Sequence, residues 1–159
     1  MKFKSMIVFG TRPEIIKLSP VIRSLNNNDI ENILVHTNQH YDNELSNTFL
    51  EELNLPPVNH NLEVGSGNHG EQTGKALKLL EEKMLEEEPD VVLVQGDTNT
   101  VLSGALAASK LHIPIGHVEA GLRSGDMRMP EEINRKLADH VSTFLFTPTR
   151  DAKTNLLNE

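Results

Sequence analysis

Short β-branched runs alternate with longer stretches of helical period along the whole chain, and that alternation leaves few folds open. A strand-like run followed by an amphipathic stretch and another run is a βαβ unit, and such units stack into a parallel sheet. Six runs qualify. They lie at residues 3–9, 33–37, 58–64, 91–95, 113–118 and 144–148. After the first, Pro13 suits the opening turn of a helix, and Ile15, Ile16, Leu18, Ile22 and Leu25 follow at helix-face spacing. Leu45, Phe49, Leu50 and Leu53 mark a second helix that must stop before Pro56 and Pro57. The third helix spans roughly residues 71–88, and its acidic end reads as a solvated tail. VVLVQ at 91–95 is almost wholly apolar, as a strand covered on both faces should be. A small-residue helix through Ala105, Ala107 and Ala108 and a helix from Pro130 complete the series. The expected fold is α/β, a parallel sheet with helices on both faces.

Composition narrows the partners. At 159 residues and 37% hydrophobic content the chain can bury one sizeable core. A net charge of -8 argues against broad binding to nucleic acid or to an anionic membrane, and one Tyr with no Trp leaves few stacking platforms for bases. The absence of cysteine excludes disulfides and thiolate metal sites and suits a cytoplasmic location. The apolar run near the start breaks at Gly10, Arg12 and Pro13, too early for a signal peptide.

In an open parallel sheet, the loops leaving the carboxyl ends of the strands share one edge, and ligands bind there. Arg12, Gln39, His40, Asp97 and Glu119 all follow strands and are expected at one cleft. In GTRPEIIK, Gly10 permits a tight turn and Pro13 sets the helix start, so free N–H groups with Arg12 and Lys17 read as an anion site. An ordinary capped turn with surface cations is the alternative. GSGNHG matches a dinucleotide fingerprint only in letters, since it lies in the third unit, and GEQTGKA lacks the spacing and hydroxyl of a phosphate-binding P-loop. His112 and His117 have no third ligand at metal-binding spacing, and neither a metal nor a cofactor is expected.

The densest charge lies in HVEAGLRSGDMRMPEEINR, residues 117–135, with four carboxylates and three arginines. Asp97 and Glu119 each follow a very apolar strand, where a carboxyl group needs a partner or loses its charge. Carboxylates in different environments can divide acid and base work. Asp97 can instead cap the next helix, a role also open to Thr98 and Asn99, and Glu119 can pair with Arg123 or Arg135. Glu131 and Glu132 suit the first turn of a helix, and Arg135, four residues after Glu131, lies on its face.

GTRPEIIKLSP, QGDTNTVLSGALAA, HVEAGLRSGD, PEEINR and FLFTPT, in this order, resemble the amino-terminal half of the non-hydrolysing UDP-N-acetylglucosamine 2-epimerases. The resemblance implies a Rossmann-like domain, one half of a B-type glycosyltransferase (GT-B) architecture, with residues 1–159 as the amino-terminal catalytic domain and a carboxyl-terminal UDP-binding domain beyond them. It implies conversion of UDP-GlcNAc to UDP-ManNAc by elimination and re-addition of UDP, without cofactor or metal, in a homodimer when full-length. Asp97, Glu119 and Glu131 match the family's catalytic carboxylates and Arg135 its functional arginine. Arg12 and Lys17 match contacts to the UDP-sugar, and Gln39, His40 and His117 are further substrate-binding candidates. Asn43, and the lack of an arginine in GSGNHGEQTG, depart from the allosteric pattern of bacterial members. A hydrolysing relative releasing ManNAc and a non-catalytic nucleotide-sugar binding module are the competing readings.

Overall fold

The computed structural model describes residues 2–38 and 47–159. The chain runs β1 (Lys4–Phe9), α1 (Arg12–Asn26), β2 (Glu31–His36), α2 (Asn47–Glu52), β3 (His60–Asn61) and α3 (His69–Glu87). It continues through β4 (Val91–Gln95), α4 (Asn99–Lys110), β5 (Ile115–Val118), α5 (Pro130–Val141), β6 (Phe144–Phe146) and α6 (Arg150–Leu157). Six strands form one sheet in the order β3-β2-β1-β4-β5-β6, and every pairing is parallel.

The period of two along each strand sends neighbouring side chains to opposite faces, and both faces are covered. Ile7 and Phe9 of β1 pack with Leu34 and Leu93 against Ile15, Leu18 and Ile22 of α1. Met6 and Val8 face the other way, joining Val92 and Val94 against Ala76 and Leu80 of α3 and Val101 and Ala105 of α4. Right-handed crossovers account for this division: the chain builds outward from β1 to β3, then returns across the sheet and builds outward from β4 to β6. The reversal falls between β1 and β4. Their carboxyl ends therefore open a crevice from which the following segments diverge.

The third strand is shorter than its sequence suggests. Only His60 and Asn61 pair with β2, at the sheet edge, where few ladder bonds reward an Asn-rich segment leaving two prolines. The second helix is described from Asn47 onward, and the predicted contribution of Leu45 lies outside the described residues. On the α1 side, the sheet beyond β1 carries an apolar hollow of about 310 Å³ lined by Phe3, Val21, Leu25, Leu93, Val118 and Phe146. Phe144 and Phe146 of β6 stand exposed. Among the described residues, no helix is long and apolar enough to cross a membrane.

Gly10 closes β1 where three elements meet. A Cβ there would crowd the Thr100 hydroxyl and lie 2.7 Å from Thr37 Oγ1. Those two hydroxyls share a buried hydrogen bond of 2.7 Å. Gly10→Ala is expected to lower the unfolding free energy by about 1–3 kcal/mol, the usual cost of overpacking. Urea denaturation measures it, and an unchanged midpoint would contradict the close packing described.

Candidate functional site

The turn after β1 is organised by a carboxylate. Glu14 occupies the third position of α1 in a Thr-x-x-Glu capping box, and its Oε2 accepts from Gly10 N at 2.9 Å, Thr11 N at 2.7 Å and Thr11 Oγ1 at 2.8 Å. Its Oε1 accepts from Thr98 Oγ1, across the crevice on the turn after β4, at 2.8 Å. Burial pushes the Glu14 carboxyl above its ordinary value, against the pull of these donors. The expected anion seat at this helix start is thus largely filled by the protein's own carboxylate, which occupies the N–H groups of Gly10 and Thr11. The Arg12 guanidinium lies 4.2 Å from the centre of the Phe49 ring, tying the turn to α2 by a cation–π contact.

Asp97 and Glu119 follow β4 and β5 and so emerge on the same edge of the sheet. They are held from opposite sides. Glu119 Oε2 accepts from Lys17 Nζ of α1 at 3.0 Å and also from Gln95 Nε2. Asp97 Oδ2 accepts from Arg135 of α5. Glu119 sits at φ 66°, a left-handed conformation that a non-glycine residue adopts at a cost of order 1–3 kcal/mol. Such outliers cluster where side-chain aim matters.

These pairings replace the partners expected from sequence. Neither Arg123 nor Arg135 meets Glu119: Arg123 pairs with Asp139 and Glu159, and Arg135 with Asp97 and Glu132. Asp97 does not cap α4. Thr98 does, accepting from Val101 N at 3.4 Å, which leaves the Asp97 carboxylate directed at the cleft. Glu131 and Arg135 do not pair on α5, because the next residue, Glu132, turns inward and takes the arginine at 3.2 Å. Glu131 is exposed and lines a cavity of about 210 Å³ with Thr11, His69, Asp97, Thr98 and Asn134. Lys17 is exposed and engaged with Glu119, whereas Gln39 and His40 lie outside the described residues.

His117 departs furthest from expectation. Its ring is completely buried behind Gly96, with Nε2 at 2.7 Å from the Gly96 carbonyl and Nδ1 at 2.6 Å from Asp139 Oδ1, and it presents no atom to the cleft. Among the described residues, no three His, Asp or Glu side chains converge as metal ligands.

Glu14, Asn134 and Asp139 hold the site beyond the sequence expectations, and Glu132, expected at a helix start, holds it from the interior. Glu14 carried a signal, the capping box TRPE itself. Glu132 and Asp139 stand with Arg135 at i, i+3 and i+7 on α5, so a polar stripe faces inward where an apolar one is the rule. Glu132 is inaccessible to solvent and accepts from Ser124 N at 2.9 Å and Gly125 N at 3.1 Å. Asn134 completes the support, donating to the Asp97 carbonyl at 2.9 Å and to Asn99 Oδ1 at 3.1 Å.

Burial alone would raise the Glu132 carboxyl, but the amides of Ser124 and Gly125, the Ser124 hydroxyl and Arg135 together hold it below its ordinary value of 4.5. A depressed folded-state pKa gives stability that is present above the unfolded value and lost as pH falls through the folded one. Glu132→Gln, which leaves Arg135 without this buried partner, is expected to cost about 3–5 kcal/mol near neutral pH. The deficit should shrink as the wild type itself loses stability in acid. Urea titrations at neutral and acid pH test this, and a deficit independent of pH would contradict it.

Comparisons with known proteins identify relatives of this chain. Residues 23–159 match the UDP-N-acetylglucosamine 2-epimerase family. The UDP-N-acetylglucosamine 2-epimerase of Methanocaldococcus jannaschii is 62% identical over 156 residues, covering 98% of this chain and 43% of the relative. A UDP-2,3-diacetamido-2,3-dideoxy-D-glucuronate 2-epimerase of Pseudomonas aeruginosa is 51% identical over 98% of this chain and 44% of its own length. The crystal structure of the M. jannaschii enzyme in complex with UDP-GlcNAc and UDP superposes with a TM-score of 0.91 at 61% identity, over 99% of this chain and 43% of that one. The chain thus spans less than half the length of these relatives, and its sheet is one half of a GT-B fold. On the match across residues 23–159 and on the shared fold, the chain belongs to the UDP-N-acetylglucosamine 2-epimerase family.

Proposed function

We propose that this chain is the amino-terminal catalytic half of an enzyme that interconverts UDP-GlcNAc and UDP-ManNAc by inverting C2 of the sugar. The observation that carries the reading is the paired arrangement of Asp97 and Glu119, on adjacent strand ends and each with its own cation. C2 bears an acetamido group and adjoins no carbonyl carbon within the ring, so its proton is not acidic enough for direct removal and return. Elimination solves this. A carboxylate takes the C2 proton while the C1–oxygen bond breaks, its electron pair leaving with UDP, and a C1–C2 double bond remains. Return of UDP oxygen to C1 and of a proton to the opposite face of C2 completes the inversion.

Asp97, Glu119 and Glu131 are the proton-transfer groups in this scheme. Arg135 and Lys17 orient two of them, and with Arg12 they favour the departing diphosphate. The relatives' greater length supports placing the remaining UDP contacts in a carboxyl-terminal domain, and the open apolar hollow beside β6 is a surface such a portion can cover. The resemblance extends the reading to a cytoplasmic homodimer.

In the complete protein, Asp97→Asn, Glu119→Gln and Glu131→Gln should each slow exchange of the C2 proton with deuterated water by at least about 100-fold, within the range of general acid–base catalysis. Mass spectrometry of the recovered nucleotide sugar reads this, and wild-type exchange in all three variants would sink the assignment. Retained UDP-ManNAc is the expected product. Free ManNAc would identify hydrolysis instead.

A further inference from the structure

Behind the turn that carries Asp97 lies a side-chain cluster with no place in the chemistry above. The His117 ring touches two acceptors, the Gly96 carbonyl at Nε2 and Asp139 Oδ1 at Nδ1. A carbonyl oxygen brings no hydrogen, so Nε2 must supply one. Nδ1 faces Asp139. Its Oδ2 accepts from Arg123 NH1 at 2.8 Å and Gly121 N at 3.1 Å. Burial opposes its charge, but hydrogen bonds from His117 and Arg123 and the adjoining amide outweigh burial and hold the carboxyl below its ordinary value.

We infer that His117 is a positioning residue, whose hydrogen bond to the Gly96 carbonyl fixes the turn that aims Asp97 into the cleft. The geometry gives this contact leverage. Gly96 stands at φ 85° and its N–H continues the ladder to Val118 O at 3.1 Å, so its peptide is the last fixed unit before Asp97 leaves the sheet. The α5 helix then holds two consecutive residues of the turn: Asp139 grips Gly96 through His117, while Asn134 and Arg135 grip Asp97 directly. The charged groups around the cluster are Arg123, Asp139 and Glu159, with Lys136 against Glu159 at 3.6 Å, and Asp139 holds the ring at Nδ1. Nothing in this arrangement requires His117 to meet substrate.

The catalytic consequence rests on the epimerase reading, whereas the hydrogen bond to Gly96 does not, and the test separates them. In the complete protein labelled with ¹⁵N-histidine, His117 Nε2 should show a directly bonded hydrogen, as the Gly96 carbonyl requires. A ring with no hydrogen on Nε2 would overturn the inference. His117→Gln and Asp139→Asn should each reduce kcat by roughly 10–100-fold, the scale of a catalytic group misplaced by about an ångström, with KM changed far less. The double variant should lose no more than the worse single one, because the two residues act as one device. Wild-type kcat in His117→Gln, or losses that multiply in the double variant, would overturn the positioning role. Should His117→Gln fail to fold, Asp139→Asn and the labelled wild type still decide it. If the wild type does not turn over UDP-GlcNAc, the epimerase reading alone fails, and the nitrogen spectrum judges the inference.

Discussion

The site depends on a hydrogen bond across the crevice, from Thr98 Oγ1 to Glu14 Oε1 at 2.8 Å. In a sheet that builds outward in two directions, the strand ends at the reversal part company, and their turns share no ladder bond to hold them together. Glu14 supplies the link. One carboxylate closes the turn after β1 by accepting two amides and a hydroxyl, and with its other oxygen holds the turn after β4. The carboxyl is taken out of water to do so, and burial raises its pKa. The crevice survives as a crevice because its two walls are tied at the base, not because either wall is rigid alone.

On that base the charges arrive from both faces of the sheet. Lys17 comes from α1, which packs on one side, and Arg135 comes from α5, which packs on the other. Each cation meets its carboxylate at the edge between them. Ion pairs at a partly open edge add little to stability, but they fix the direction of the two carboxylates proposed to move protons. Behind the edge the same logic continues in fully buried form. Glu132 anchors Arg135 and the loop amides of Ser124 and Gly125, and Asp139 anchors His117. α5 is therefore less a structural rod than a rack of supports for the strand ends.

The layer architecture was legible in the sequence because it rests on periodicity, which a linear pattern carries in full. Six runs became six strands, and β3 contracted most, at an edge where pairing is weakest. The placement of Asp97 and Glu119 on one rim was legible for the same reason, since parallel strands fix which ends coincide. The partners were not. Lys17 and Glu119 are 102 residues apart and Arg135 and Asp97 are 38 apart, and no spacing rule connects residues on separate elements. The adjacent acids Glu131 and Glu132 illustrate the limit: one helical step of about 100° sends the first to the cleft and the second to the interior. His117 misled in the opposite sense, as a polar residue in a charged block that proved to be wholly internal.

The most direct measurement is a crystal structure of the complete protein with UDP and the substrate sugar in the cleft. The account predicts that the C1–C2 bond of the sugar lies between the carboxylates of Asp97 and Glu119, with Arg135 and Lys17 still at their sides. A sugar bound out of reach of both carboxylates would contradict it.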